Sequence, residues 1–447
     1  MEIMRTVALA IQETLGREAE EELDEQARSS GVIKRRRKFS GLGLLKMIVL
    51  TVLKKPDAKP GDYQTNAALL GIDVSREGIE KRFTEQLPAF LLGVLKKMLC
   101  RVVAASPSNA KLLQNFKGVA VGDGTTIPLP DELADPFPGC GGTSGSGRAA
   151  LKIQLLWDLL RGAILKLVIE PGSSSDAKSP IAHKTARPGW LLIFDLGYFC
   201  LKRFRAIGEV GAFWISRLQH GTLVYDSNGK LLDLVTLLRQ HSGAGLIDML
   251  VSLGREERLT CRLVGVRVPE EVANRRRQKA REKALKHGRA VSREYLELQG
   301  WTLFVTNCDR DQLTWKAVVI LYRARWQIEL LFKLWKSHNR IEKHNPAASA
   351  AEQLAVLYAK LIGVILQHWI LLSTTWTNVR RSLMKAATVV RDQLANVIEA
   401  IDNLDALIST LGRIQAAAAR VACVKCGRKH PSLFQLLQDP DLLEYEI

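Results

Sequence analysis

The residues best suited to chemistry lie in one stretch of the C-terminal half, residues 322–336. The stretch contains neither Gly nor Pro and is rich in helix-favouring residues, so it is predicted to be helical. Side chains three, four or seven positions apart share a helical face, which would align Tyr322, Arg325, Glu329 and Lys336 in one polar row. The other faces are apolar, which indicates a helix packed on most sides. One interpretation is a salt-bridged surface ladder, because Arg325 and Glu329 form an i, i+4 pair.

Two further acids follow strand-like runs. Apolar residues 119–121 lead to Asp123, and the apolar run 190–194, typical of a strand buried on both faces, leads to Asp195. Two strands that end at carboxylates suggest a site at one end of a sheet. If Glu329 joins these acids, the cluster is stable mainly when cations lie among them. Ligation by oxygen alone favours Mg²⁺ or Mn²⁺.

Such a cluster suits displacement at phosphorus. Two ions about 3.5–4 Å apart are the usual arrangement, in which one activates water or a sugar 3′-hydroxyl and the other stabilises the leaving oxygen. On the same predicted face as Glu329, Arg325 and Lys336 are placed to hold the neighbouring phosphates. Tyr322 is placed to donate a hydrogen bond to a phosphate or to stack on a sugar or base.

The charge of the chain also indicates a polyanionic partner. The net charge is +18, from 64 basic and 46 acidic residues. Many of the basic residues form two blocks, whose natural use is phosphate contact and whose alternative is a solvent-exposed helix face. The candidate phosphate contacts in the blocks are Lys34, Arg35, Arg36, Arg37, Arg275, Arg276 and Arg277. Arg217, at the end of another predicted strand, is a further candidate.

Length and composition narrow the class of protein. A chain of 447 residues exceeds one compact core, so two to four domains are expected, and the apolar fraction of 47% is that of a globular protein. The apolar run 361–372 is interrupted by Gln367 and His368, and the N-terminus lacks the pattern of a signal peptide. Seven Cys residues without framework spacing fit a reducing compartment. We expect a cytoplasmic protein without a membrane partner.

The order of predicted elements suggests five regions. Residues 1–112 are predicted to be a helical DNA-binding region, with one helix over 1–27 and a helix-turn-helix-like pair at 63–70 and 76–87. Residues 113–220 are predicted to be the first part of an α/β core, with a hairpin at 151–169. A β-rich insertion with a basic helix at 275–287 is predicted for 221–298. The second part of the core follows at 299–372, with a strand at 301–307 and a helix at 317–336, and 373–447 is predicted to be helical.

The helical row resembles the signature helix of a known family. Its spacing, Tyr-x2-Arg-x3-Glu-x6-Lys, is similar to that of bacterial DDE transposases, specifically the fourth insertion-sequence family. The segments Gly122-Asp123-Gly124 and Asp195-Leu196-Gly197 resemble the two acidic motifs of that family, in the same order. The long segment between Asp195 and Glu329 matches a family known for a β-rich insertion there. The resemblance covers roughly residues 30–370.

The resemblance implies a ribonuclease-H-like core, a mixed sheet flanked by helices. Asp123, Asp195 and Glu329 would hold two Mg²⁺ ions, for which Mn²⁺ substitutes, and Tyr322, Arg325 and Lys336 would contact DNA at the element's ends. Trp301 lies near the point where relatives use a Trp to support a flipped base, although a buried core position is the alternative. The implied partner is double-stranded DNA, as terminal inverted repeats and as target, bound by a homodimer at the bacterial nucleoid.

The sequence therefore predicts an enzyme, a DNA transposase that cuts and joins DNA in cut-and-paste transposition. Two alternatives remain: a catalytically inactive protein that binds transposon ends, and a host nuclease on the same fold. The first predicts end binding without cleavage in any divalent metal. The second predicts cleavage without end specificity and without strand joining. The acids and cations that the signature requires are present, which argues against a decayed copy.

Overall fold

The structure is a computed structural model, and it describes residues 2–34, 38–141, 148–181, 185–343, 345–376, 381–424 and 431–443. The predicted phosphate contacts Arg35, Arg36 and Arg37 lie outside the described residues. Across the described ranges, nine strands form one sheet with helices on both faces, which makes the protein a mixed α/β structure.

The sheet combines parallel and antiparallel strands in the order β3-β2-β1-β4-β5-β9-β8-β7-β6. The strands are β1 (Gly118–Pro128), β2 (Ala150–Asp158), β3 (Ile164–Pro171), β4 (Trp190–Phe194), β5 (Phe213–Arg217), β6 (Val224–Tyr225), β7 (Leu246–Leu253), β8 (Leu259–Arg267) and β9 (Trp301–Thr306). Neighbours β1, β4 and β5 are parallel, and the other pairs are antiparallel. The predicted hairpin is confirmed as β2 and β3, which pair beside β1.

Strand β1 is longer than predicted. It does not end at Asp123 but continues to Pro128, because its antiparallel ladder with β2 runs on to the pair of Pro128 with Ala150. The parallel ladder with β4 stops earlier, at Gly122 and Phe194. Asp123, the residue after Gly122, therefore lies beside the end of β4, at the level of Asp195, the residue after Phe194.

Helices surround the sheet. Before β1 they are α1 (Glu2–Leu15), α2 (Glu20–Ser29), α3 (Gly41–Lys54), α4 (Pro60–Leu69), α5 (Arg76–Glu80), α6 (Leu87–Leu99) and α7 (Lys111–Gln114). Later helices are α8 (Leu201–Glu209), α9 (Leu234–Gln240), α10 (Glu270–Lys286), α11 (Arg293–Leu298), α12 (Trp315–Ala324), α13 (Trp326–Lys333), α14 (Ala350–Thr375), α15 (Leu383–Asp392), α16 (Leu394–Ala400), α17 (Leu404–Val421) and α18 (Leu433–Gln438). Short 3₁₀ turns include Arg17–Ala19, Asp176–Lys178 and Leu196–Tyr198.

Two predicted N-terminal helices are each divided. The helix predicted over 1–27 breaks at Gly16, where a β-carbon would lie 2.6 Å from the Gln12 carbonyl oxygen, so the turn is too tight for a side chain. The helix predicted over 76–87 ends at Glu80, and α6 begins at Leu87 with Pro88 in its first turn. Proline favours a helix start because its missing N–H needs no partner there.

The N-terminal and C-terminal helices share one core around α14. Helices α1, α3, α6, α15 and α17 pack with α14, and the buried Gln12 side chain donates a hydrogen bond to the Ile401 carbonyl at 3.0 Å. The predicted boundary at residue 372 falls inside α14. This helix is long and apolar enough to cross a membrane, but 89% of its most apolar window is buried in the protein. It is therefore the central helix of the bundle.

The predicted insertion extends the main sheet. Strand β9 pairs with β5 on one side and β8 on the other, so β8, β7 and β6 continue the same sheet. Residues 221–298 also contain α9, α10 and α11, whose residues outnumber those of the strands, so the segment is less β-rich than predicted. The bundle covers one sheet face, and α8, α9 and α11 lie on the other with a second apolar core.

Candidate active site

Three carboxylates converge beside the end of β4. Asp123 lies on β1, Asp195 directly follows β4, and Glu329 lies on α13, which packs against β1. The parallel pairing of Gly122 with Phe194 brings the first two acids to the same level of the sheet. We call Asp123, Asp195 and Glu329 the acid cluster.

The guanidinium of Arg325 lies among all three acids. Its Nη1 donates to Asp123 Oδ2 at 2.9 Å, and its Nη2 donates to Glu329 Oε1 at 2.8 Å. The same Nη2 lies 3.5 Å from Asp195 Oδ1. Arg325 and Glu329 are the i, i+4 pair that suggested a surface ladder, but the contacts to Asp123 and Asp195 make this pair part of a partly buried ionic centre. One planar cation therefore offsets the repulsion among three anions.

Partial burial raises the electrostatic cost of ionising three carboxyl groups close together. The Asp123 and Arg325 side chains are only 18% and 14% exposed, whereas Asp195 is 43% exposed. Burial, with the charges of Asp195 and Glu329, raises the pKa of Asp123 to about 6, although the Gly124 N–H and Arg325 oppose the shift. Burial alone would lower the pKa of Arg325, but the surrounding acids raise it, so the guanidinium stays charged.

The helix that carries the polar row is interrupted twice, contrary to the prediction of one helix over 317–336. Helix α12, capped by Thr314, ends at Ala324, and α13 begins at Trp326. Around Arg325 the backbone forms i→i+3 hydrogen bonds, from Arg325 N to Tyr322 O and from Ile328 N to Arg325 O. Beyond α13 a π-helical turn spans Leu334–His338. These turns change the angular position of each following side chain relative to a regular helix.

Lys336 and Tyr322, at the two ends of the polar row, have different surroundings. Lys336, on the π turn, donates to the Thr126 carbonyl of β1 at 3.2 Å and pairs with Glu342 at 2.5 Å. Tyr322 packs on Phe304, and its buried hydroxyl makes no hydrogen bond with any described residue. Burial raises the pKa of Tyr322 to about 12, so the phenol stays protonated at neutral pH.

The predicted phosphate contacts divide into exposed and structural residues. Lys34, Arg217 and Arg275 are exposed. Arg276 donates to Thr302 Oγ1 at 3.1 Å and to the Trp301 carbonyl at 3.3 Å, and burial, with the charge of Arg217, lowers its pKa. Arg277 joins α10 to α11 by donating to the Leu296 carbonyl and pairs with Glu270. Arg276 and Arg277 therefore already stabilise the insertion without DNA.

Trp301 and Trp326 differ in their exposure to solvent. Trp301 begins β9 at the end of the sheet where β5 finishes, but it is only 7% exposed, within the second apolar core. Trp326 was predicted to pack, yet it is 56% exposed, one residue from Arg325, with Leu330 exposed beside it. The sequence contained a signal for this face, because Arg323 and Lys333 flank these positions at helical spacing.

The donor set of the acid cluster suits a hard divalent cation, since all candidate ligand atoms are carboxylate oxygens. The side chains are not, however, arranged as metal ligands. No group of three or more His, Cys, Asp or Glu residues in the described ranges forms a ready metal site. In the acid cluster, Arg325 provides the positive charge. A divalent ion bound among these carboxylates would replace the guanidinium as the source of positive charge.

Comparisons with known proteins identify the family of the chain. Residues 114–362, which contain the acid cluster, match the family described as the transposase DDE domain. The chain is 30% identical to the transposase for insertion sequence element IS231F of Bacillus thuringiensis subsp. israelensis, over 88% of this chain and 87% of that relative. It is 29% identical to the transposase for IS231C of Bacillus thuringiensis subsp. berliner, over 87% and 86%. Identity to the transposase for IS1151 of Clostridium perfringens is 24%, over 67% of each chain.

Proposed function

The chain belongs to the transposase DDE-domain family, and we propose that it binds the ends of an insertion sequence and moves that element by cut-and-paste transposition. It is a transposase, an enzyme that cleaves and transfers DNA, and its family implies dependence on a divalent metal ion. The observation that carries the proposed site is the contact of one guanidinium, that of Arg325, with three carboxylates distant in sequence.

Asp123, Asp195 and Glu329 hold the metal in this proposal, as two Mg²⁺ ions that Mn²⁺ replaces. Bound ions would activate water or a 3′-hydroxyl and stabilise the leaving oxygen at phosphorus. In the metal-free protein, the positive charge of Arg325 offsets the repulsion among the three acids. Once released, its guanidinium is placed to make bidentate contact with a phosphate beside the cleaved bond.

The rest of the polar row positions the DNA end. Among the residues that the structure describes, Lys336 contacts the Thr126 carbonyl and Glu342, so it is available to exchange that pair for a phosphate. The Tyr322 hydroxyl, which is buried next to Arg325 and meets no hydrogen-bond partner in the described part of the chain, is placed to donate to the same strand. Trp326, exposed beside these residues, is better placed than the buried Trp301 to stack on an unpaired base.

A basic surface extends from the acid cluster along the insertion. Arg217 lies at the end of β5, close enough to Arg276 to lower the pKa of that guanidinium. Helix α10 continues the surface with Arg275 and further cations, and only Ala273 is buried along its length. This supports contact of the insertion with DNA beyond the cleaved bond. Lys34, together with Arg35, Arg36 and Arg37 of the same basic block in the sequence, is proposed as a second contact.

The strand order supports a ribonuclease-H-like core. Three antiparallel strands, β3, β2 and β1, are followed by β4 and β5, both parallel to β1, and the acids lie at the junction of β1 and β4. Strands β6 to β9 extend this unit. We further propose that two copies bind double-stranded DNA together, each at one terminal inverted repeat, and that the enzyme acts at the bacterial nucleoid.

The test uses DNA that carries the inverted repeats flanking the gene. Wild-type protein with Mg²⁺ is expected to cut at the repeat and to join the end to a target duplex. Asp195→Ala is expected to bind the same DNA without cutting it, and Asp311→Asn, an exposed turn carboxylate, to cut like wild type. Cleavage by Asp195→Ala at the wild-type rate would refute the site.

The same assay separates the alternatives. End binding without cleavage in either Mg²⁺ or Mn²⁺ would identify an inactive end-binding protein. Cleavage of any duplex, without preference for the repeat and without joining, would identify a nuclease on the same fold.

A further inference from the structure

A second polar cluster lies directly behind the acid-bearing segments. Asp176 begins the 3₁₀ turn between β3 and β4, and its Oδ1 lies 2.8 Å from Lys152 Nζ and accepts a hydrogen bond from Gln154 Nε2 at 2.9 Å. The Tyr198 hydroxyl donates to Gln154 Oε1. Gln154 and Tyr198 are almost completely buried. We call Lys152, Gln154, Asp176 and Tyr198 the Asp176 cluster.

This cluster touches both segments that carry the catalytic aspartates. Gln154 pairs across the sheet with Gly124, the residue after Asp123. A β-carbon at Gly124 would lie 3.1 Å from Gln154 Oε1, 3.3 Å from the Tyr198 hydroxyl and 3.5 Å from Asp176 Oδ1. A β-carbon at Gly197, two residues after Asp195, would lie 3.0 Å from Asp176 Oδ2. Asp176 therefore packs against a glycine from each acidic motif.

A buried arginine also holds the Asp176 turn to the turn that follows Asp195. Arg203 of α8 donates from Nη2 to the Ala177 carbonyl at 2.6 Å and from Nη1 to the Tyr198 carbonyl at 3.2 Å. The turn that contains Asp176 is thereby held to the turn that follows Asp195. Lys152 adds a bond from Nζ to the Ser174 carbonyl at 2.7 Å.

We propose that Asp176 is a positioning residue for the metal site: through Gln154, Lys152 and the two glycine contacts it fixes the separation of Asp123 and Asp195. The proposal rests on the proposed function, in which these two aspartates hold the divalent ions. Asp195 needs such support, because it is the most exposed of the three acids and the farthest from Arg325. Residues that orient metal ligands typically affect metal affinity or activity by about 10–100-fold.

The test measures metal binding separately from activity. Mn²⁺ binding to the protein–DNA complex is followed by the loss of the free-Mn²⁺ electron paramagnetic resonance signal, and cleavage is measured against Mg²⁺ concentration. Asp176→Ala is expected to weaken Mn²⁺ binding about tenfold or more and to raise the half-maximal Mg²⁺ concentration similarly. Its affinity for end DNA in EDTA is expected to equal that of wild type.

Two variants guard against a general loss of folding. Asp176→Asn retains an oxygen that accepts from Gln154 and is expected to recover most of the Mn²⁺ affinity. Ser175→Ala, on the same turn, changes an exposed residue whose side chain does not cap the turn and is expected to match wild type.

The outcomes distinguish the two proposals. If Asp176→Ala binds Mn²⁺ as tightly as wild type, or if it loses DNA affinity and metal affinity equally, Asp176 has no positioning role. If wild-type protein itself neither binds Mn²⁺ nor cuts DNA, the proposed metal site fails instead.

Discussion

The replacement of Asp123 by Asn should stabilise the metal-free protein while it abolishes cleavage. Asn has nearly the same shape as Asp, and its single side-chain oxygen keeps one of the two hydrogen bonds that Asp123 accepts on separate oxygens, from the Gly124 N–H and from Arg325 Nη1. What it removes is the ionisation of a largely buried carboxyl group beside two other acids. In the proposed function that charge is needed to hold a divalent ion.

The magnitude follows from the pKa of Asp123. The folded protein raises this pKa from 3.8 to about 6, so the folded state holds its proton more tightly than the unfolded state does. A carboxyl with a raised pKa lowers the free energy of unfolding as pH rises from about 4 to about 6, and the loss is complete above that range. At about 1.4 kcal/mol per pKa unit, Asn is expected to gain about 3 kcal/mol at pH 8 and almost nothing at pH 4.

The assay is thermal or urea unfolding in EDTA at pH 8 and at pH 4.5. For a chain of this length unfolding cooperatively, about 3 kcal/mol corresponds to a melting temperature higher by about 3 °C. Asp311→Asn, which changes an exposed carboxylate, should match wild type at both pH values. Addition of Mg²⁺ should stabilise wild type more than Asp123→Asn. Equal or lower stability of Asp123→Asn at pH 8 in EDTA would refute the account of a strained acid cluster.

Three further changes test other parts of the structure. Trp326→Ala should weaken binding of an end with an unpaired base by about 1–3 kcal/mol in a gel-shift assay, with an unchanged melting temperature, whereas Trp301→Ala should lower the melting temperature instead. Gly162→Ala should lower the free energy of unfolding, measured in urea, by about 3 kcal/mol, because φ is +73° and a β-carbon would lie 2.6 Å from the Trp376 ring. Gly71 has the same φ but no atom within 4 Å of the position of a β-carbon, so Gly71→Ala should lower it by about 1 kcal/mol. Burial lowers the pKa of His368 to about 4, so the free energy of unfolding is highest above pH 6.5, where the imidazole is neutral, and falls as pH drops from 6.5 to 4. His368→Gln should remove about 3 kcal/mol of this pH-dependent loss of stability. The same loss of stability at acidic pH in the variant would contradict this explanation.

The sequence was most informative where chemistry and periodicity agree. The apolar runs before Asp123 and Asp195 correctly indicated buried strands, and the spacing of Arg325 and Glu329 correctly indicated that these two side chains meet. Family membership then confirmed the transposase prediction. These features are local, since a strand buried on both faces or an i, i+4 pair leaves a pattern in consecutive residues.

Features that depend on tertiary packing could not be predicted. Helical periodicity gives no sign of the tight turn at Arg325 or of the π turn at Leu334–His338, so the contacts of Lys336 with Thr126 and Glu342 could not be predicted. The exposure of Trp326 depends on which side of α13 meets β1. Asp176 gave no signal, because its partners on β2 and after β4 are brought to it only by the folded sheet.

The number of strands in the main sheet also could not be predicted from the sequence. Residues 221–298 contain short strands that predict a separate insertion, but their pairing with β9 makes them part of the main sheet. The N-terminal and C-terminal helical regions were predicted separately, yet both pack on α14. Strands and helices of this kind pair and pack with segments that are distant in sequence, and composition does not show which segments those are.

The most direct test of the central claim is the location of bound Mn²⁺ by anomalous diffraction from crystals of the protein with end DNA. The account predicts anomalous density between the carboxyl groups of Asp123, Asp195 and Glu329, with the Arg325 guanidinium moved onto a phosphate. Mn²⁺ bound elsewhere, or Arg325 still in contact with all three acids beside a DNA end poised for cleavage, would contradict it.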